Sequence, residues 1–178
     1  MRYIRKLQDS LPILKNWLDD AVDRNQLQNW KSLVINRRKP HTYRAFTMFG
    51  EDRICLHRFE ECSEAEAFMH PHPWPGAFLV VSGPYRHWVG RSSNLEDQPN
   101  EVMDSVMCKG SIYQIVDPQV WHMVQPLETS YTIMLNGPVW DVQHKETRTT
   151  KGKNLDSMSE DDLITHLKIF QEFLEEYL

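Results

Sequence analysis

Eight short runs rich in Val, Ile, Tyr, Phe and Thr fill residues about 42–142 and constrain the fold more than anything else in the chain. They are YRAFTMF, RICLHRF, AFLVVS, YRHWVG, EVMDSVM, SIYQIV, WHMVQP and YTIML. Turn signals separate them at Gly50–Asp52, Gly83–Pro84, Asn94–Asn100, Lys109–Gly110, Asp117–Pro118 and Asn136–Gly137–Pro138. So many short strands in about 100 residues hide their apolar faces only by closing on themselves, as a sandwich or barrel. The expected fold is therefore mainly β.

The flanks read differently. In the helical N-terminal segment 1–36, Leu11, Leu14, Leu18 and Val22 form one stripe, widened by Trp17 and Ala21. Ser10 is placed to cap this helix and Pro12 to sit in its first turn. At the other end, Ser159 stands three residues before Asp162, a capping-box-like start to a helix over about 159–178. Its apolar face is Leu163, Leu167, Phe170, Leu174 and Tyr177, with His166 beside that face and read as a surface residue. TTKGKN, residues 149–154, reads as the linker. No repeat or low-complexity segment interrupts the chain. At 178 residues it suits a single domain, a barrel flanked by N- and C-terminal helices.

Charge and cysteine usage narrow the function classes. A formal net charge of −5 disfavours a general nucleic-acid binder. The exception is NRRKPHTYR, residues 36–44, read either as a solvated basic loop or as an anion contact. No apolar run approaches the ~20 residues that cross a bilayer, so no membrane partner is expected. The start MRYIRKLQDS has no apolar signal core, and Cys55, Cys62 and Cys108 form no CxxC pair. A cytoplasmic setting is expected.

The chemistry concentrates in FMHPHPWPGAFLVVSG, residues 68–83. Residues two apart on a strand share a face, so His70 and His72 point the same way. Such imidazole pairs bind borderline divalent ions, and also occur on ordinary surfaces. Pro73 and Pro75 rigidify the entry, Trp74 supplies an apolar wall, and Gly83 closes the strand. About fifty residues on, in GSIYQIVDPQVWHMVQP, the Asp117–Pro118 turn leads to a strand carrying His122, a source for a third imidazole.

These two stretches resemble the paired motifs of the cupin superfamily. His70, His72 and Gly83 match the first motif. Gly110, Pro118 and His122 match the second, with one residue fewer between Pro and His than is usual. Gly76 or Ala77 occupies the position of the cupin glutamate. The resemblance implies a cupin-type double-stranded β-helix (jelly-roll) barrel over about 42–142, holding a metal on His70, His72 and His122. A three-histidine cupin site is similar to that of the thiol dioxygenases, the cysteine dioxygenase family in particular, which are iron-dependent and add O₂ to a thiol. Their arginine for the substrate carboxylate, in a Tyr-x-Arg context, corresponds to Arg44 beside Tyr43. Their Ser-x-His-x-Tyr strand falls on Thr132, Met134 and Asn136, and their crosslinking cysteine on Ala77. The chain also resembles small uncharacterised cupin-like proteins.

Other residues enter as candidates. His57 shares a face with Cys55 and Phe59, as a fourth ligand, an outer base or a core histidine bonded to a carbonyl. Tyr113 and Gln114 alternate, so one points inward; Gln114 could ligate weakly or bind substrate, and Tyr113 could contact substrate. His87 shares a face with Tyr85 and Val89, opposite Arg86 and Trp88, and the pattern does not say which face is inside. Arg86 is the anion-binding candidate after Arg44. Trp74, Trp88, Trp121 and Trp140 read as packing. The leading expectation is an Fe(II) dioxygenase acting on a small polar molecule, a thiol by the resemblance. Fe(II) is the favoured metal, with Zn, Mn or Ni as the other candidates. A non-redox metal-assisted hydrolase or isomerase, and a non-catalytic ligand-binding cupin, are the alternative functions. A homodimer is expected by analogy.

Overall fold

The computed structural model describes residues 1–92, 94, 97–141 and 155–178; the expected linker at 149–154 lies outside them. All eight runs form strands, and two further strands join them. In chain order the elements are α1 (Arg2–Asp23), β1 (Lys31–Ile35), β2 (Thr42–Phe49), β3 (Asp52–Phe59), β4 (His70–Pro71), β5 (Gly76–Ser82), β6 (Tyr85–Arg91), β7 (Met103–Met107), β8 (Ile112–Ile115), β9 (Val120–Pro126), β10 (Ser130–Asn136) and α2 (Glu160–Tyr177).

Strands β3 to β10 switch between two antiparallel sheets at every step except β6 to β7, which pair as a hairpin. One sheet runs β1-β2-β3-β10-β5-β8 and the other β4-β9-β6-β7. Taken over β3–β10, this is the strand order of two nested Greek keys, a jelly roll. Strands β1 and β2 extend the larger sheet past the barrel.

The principal apolar core lies outside the barrel. Leu7, Leu11, Leu14, Leu18 and Ala21 of α1 and Leu163, Leu167, Phe170 and Leu174 of α2 pack on the outer face of the larger sheet, against Ile54, Leu56, Leu79, Ile133 and Leu135. This explains the unbroken apolar run of β5. Its two faces meet the helices and the barrel interior, so no polar alternation is needed. A smaller cluster of Cys55, Phe78, Ile115 and Met134 fills one end of the interior. Between β5 and β6, Gly83 adopts φ +80°, where a Cβ would lie 2.5 Å from Ser130 Oγ and 2.8 Å from Ser130 Cα. The turn therefore requires glycine.

Three local expectations are corrected. Helix α1 begins at Arg2, not at Ser10, and Pro12 lies inside it. The Ser10 hydroxyl donates back to Leu7 O at 2.7 Å instead of capping. Burial of Leu7 alongside Leu11 and Leu14 carries the helix across the proline, since packing outweighs local preference. The segment read as helical also contains β1. Its backbone is held on one side by β2 and on the other by Asp156, whose carbonyl accepts from Val34 N at 2.7 Å.

His166 is not on the surface. It is buried, and its Nε2–H donates to Leu56 O at 3.1 Å, tying α2 to β3. Burial pushes its pKa down to about 4. The unfolded value is about 6.5, so between these values the unfolded chain binds more protons than the fold. The contribution of neutral His166 is therefore complete above the unfolded pKa and lost as pH falls toward the folded one. Its share of the loss between pH 7 and pH 5 is about 2 kcal/mol. Urea midpoints at the two pH values should differ less in His166→Gln than in the parent; an unchanged difference would contradict this assignment.

Candidate metal centre

The register of the smaller sheet brings the histidines together. His70 on β4 pairs directly with His122 on β9, and His72 follows two residues later on the same face. One ligand atom from each of the three rings lies within 4.8 Å of the others. The HPHPWPG stretch is fixed by the segment that follows β10: Pro73 O accepts from Trp140 N at 2.9 Å and Pro75 O from Gly137 N at 2.8 Å.

Each ring is aimed by what it touches. His70 Nδ1 lies 3.2 Å from Phe68 O, so it carries the proton and leaves Nε2 free. His122 Nδ1 lies 2.9 Å from Nε2 of buried His87. His87 sits on β6 opposite Val124 and next but one to Val89, which pairs with His122. That register resolves the orientation the sequence leaves open: His87 points inward, with Tyr85. The Nε2 atoms of His72 and His122 face each other at 2.6 Å. Two lone pairs cannot share such a gap, so it takes a proton or a cation. Burial, then the neighbouring histidines led by His70, holds His72 and His122 well below the ordinary imidazole pKa, and Arg44 adds to the effect on His72. Burial likewise lowers His70, and His87 to about 4. Neutral rings with aimed Nε2 atoms are the donor set that a borderline divalent ion takes, so these residues fit such an ion.

The larger sheet supplies the opposite wall. Arg44 on β2, His57 on β3 and Thr132 on β10 are direct cross-strand partners, forming one row on the inner face. Arg44 Nε donates to His57 Nε2 at 2.7 Å, and His57 Nδ1 faces Thr132 Oγ1 at 3.4 Å. Burial, with the Arg44 cation beside it, keeps His57 neutral. His57 therefore stands outside the three-ring group and braces Arg44. The next row holds Phe46, Cys55, Met134, Phe78 and Tyr113. The Cys55 thiol donates to Asn136 Oδ1 at 3.6 Å, and all three cysteines are free.

Between the walls lies a cavity of about 680 Å³, containing His70, His72, His122, Arg44, His57 and Tyr113 in its lining. Tyr113 stacks on Phe78 at 4.7 Å and accepts a hydrogen bond from Tyr85 at 3.2 Å. Two sequence candidates are not brought here. Gln114 faces the other way and accepts from Ile4 N of α1 at 3.4 Å. Arg86 lies on the outside of β6, 4.5 Å over Trp88, paired with Asp104 and with Glu64 at 3.0 Å. Alternation puts Gln114 opposite Tyr113 and Arg86 opposite His87, so the correction follows once the inner face is known. Arg53 joins the lining without having been singled out; its place two residues before Cys55, on the same strand face, was the available signal.

No family model matches the chain, and no curated protein matches it. Among solved structures, the hydroxypropylphosphonic acid epoxidase from S. wedmorenis is similar at 11% identity and a TM-score of 0.46, over 59% of this chain and 55% of that one. Fe(II)-HppE with the alternative substrate (S)-1-HPP is similar at 12% identity and 0.45, over 60% and 55%. The Drosophila melanogaster CENP-C cupin domain is similar at 15% identity and 0.44, over 59% and 75%. The chain spans about half the length of the first of these structures. Among the described residues, no helix is long and apolar enough to cross a membrane.

Proposed function

We propose that this chain is a metal-dependent cupin-type enzyme in which His70, His72 and His122 hold Fe(II) for the oxidation of a small carboxylate-bearing molecule by O₂. The observation that carries this reading is the convergence of three neutral imidazoles across one cavity from Arg44, in a lining that contains no carboxylate among the described residues. When bound, iron(II) would supply coordination positions and redox chemistry for O₂ and substrate, whereas zinc would supply only Lewis acidity.

The chain's own residues do the rest. Arg44, braced through Nε by His57, presents its remaining guanidinium N–H groups to a carboxylate and fixes the substrate's far end. Phe78 and Tyr113 wall the cavity and exclude bulk water from the reacting end. The Tyr113 hydroxyl already accepts from Tyr85, so its own proton is available to a polar group in the cavity. A thiol is one candidate reacting group. The non-redox reading draws support from Thr132, Met134 and Asn136, which provide no tyrosine where thiol dioxygenases carry one.

Oxygen uptake by the Fe(II)-loaded protein, with cysteine and 3-mercaptopropionate as probes, tests the reading. Arg44→Lys keeps the charge but loses the fork. It should raise KM for carboxylate-bearing substrates on the order of tenfold or more while metal content stays unchanged. No uptake with iron, together with hydrolytic turnover in the zinc-loaded protein, would reject the dioxygenase reading.

A further inference from the structure

The cavity is positively charged far beyond what one carboxylate would offset. The chain as a whole carries a formal charge of −5, yet Arg38, Arg44 and Arg53 line this cavity, and no aspartate or glutamate does among the described residues. The carboxylates on neighbouring stretches are engaged elsewhere: Glu66 with Lys39 at 2.8 Å, Glu60 with His41 at 3.4 Å, and Asp52 with Lys6. Three arginines surround the histidine group, each through one ring. Arg38 lies 5.3 Å over Phe68, whose ring is 4.9 Å from His70. Arg53 lies 5.1 Å over Trp74, whose ring is 5.9 Å from His72. Arg44 donates to His57. Arg53 Nε is buried without a hydrogen-bond partner.

We infer that the ligand of this cavity is a small molecule with two anionic groups, carboxylate or phosphoryl, joined by a short apolar spacer. One group meets Arg44 at the inner wall. The other is held by Arg38 at the exposed mouth with Arg53 on the flank, and the aromatic walls receive the spacer. Guanidinium forks recognise both kinds of anion, and their charges add where aromatic rings displace water. The inference rests on the proposed function: a divalent ion on neutral imidazoles adds two further positive charges, which a single carboxylate would leave still less balanced.

Calorimetric titration of the protein as purified tests it, with metal content measured on the same sample. The probes are succinate, glutarate and phosphonoacetate, each compared with butyrate or pentanoate as the monoanion of similar length. At least one dianion should bind ten times or more tighter than its monoanion, and the better of the dicarboxylate and phosphonate arms names the second group. Arg38→Gln, a change at an exposed position, should bring that ratio close to one while monoanion binding persists. Equal binding of dianions and monoanions, or a preference unchanged in both Arg38→Gln and Arg53→Gln, would overturn the inference. A sample without metal that still prefers dianions would count against the proposed function and leave this inference standing.

Discussion

His122→Ala is expected to leave the protein folded and nearly free of divalent metal. His122 supplies the Nε2 that faces His72 at 2.6 Å, and it is the ring that His87 holds through Nδ1. Its removal deletes one donor and frees another. Loss of an outer partner alone costs roughly 10–100-fold in metal affinity, and loss of the donor itself should cost at least that. Buried His87 would also lose its partner, a destabilisation of about 1–3 kcal/mol. Metal content by mass spectrometry and the urea midpoint separate the two effects. A variant that retains the parent's metal would remove His122 from the site.

Phe170→Ala should produce the largest loss of stability without touching the cavity. Phe170 is fully buried on α2, between Tyr131 at 5.8 Å and His166 at 5.2 Å between ring centroids. It belongs to the helix-to-sheet core outside the barrel. Truncating a buried phenylalanine costs about 3–5 kcal/mol, which lowers Tm by roughly 10 °C or more in a domain of this size. Metal affinity measured below the transition should match the parent, because His70 and His122 stand on the smaller sheet, across the barrel interior from the strands that α2 covers. A Tm within about 2 °C of the parent would contradict the placement of the principal core.

Strand existence was legible because period-two alternation and turn residues are local properties: all eight runs became β2, β3 and β5 through β10. Facing was not legible in the same way. His87 or Arg86, and Tyr113 or Gln114, exchange sides with one step of orientation, and only pairing with β9 and β5 decides between them. Strand β1 escaped notice because its edge is completed by Asp156, more than a hundred residues away. His166 differs for a related reason. Beside the apolar stripe its polar ring reads as exposed, but Leu56 O supplies a buried partner. The shared strand face of His70 and His72, with the cupin resemblance that adds His122, implies that the three meet. The row of Arg44, His57 and Thr132 depends on the register of three strands, which residue spacing does not encode.

The most direct test of the metal centre is X-ray absorption at the metal edge of protein purified without chelator. The expected result is one divalent ion per chain with three imidazole nitrogens at about 2.0–2.2 Å, losing imidazole scattering in His70→Ala, His72→Ala and His122→Ala. An absence of bound metal after reconstitution with Fe(II), Zn(II), Mn(II) and Ni(II), or a first shell without imidazole, would contradict it.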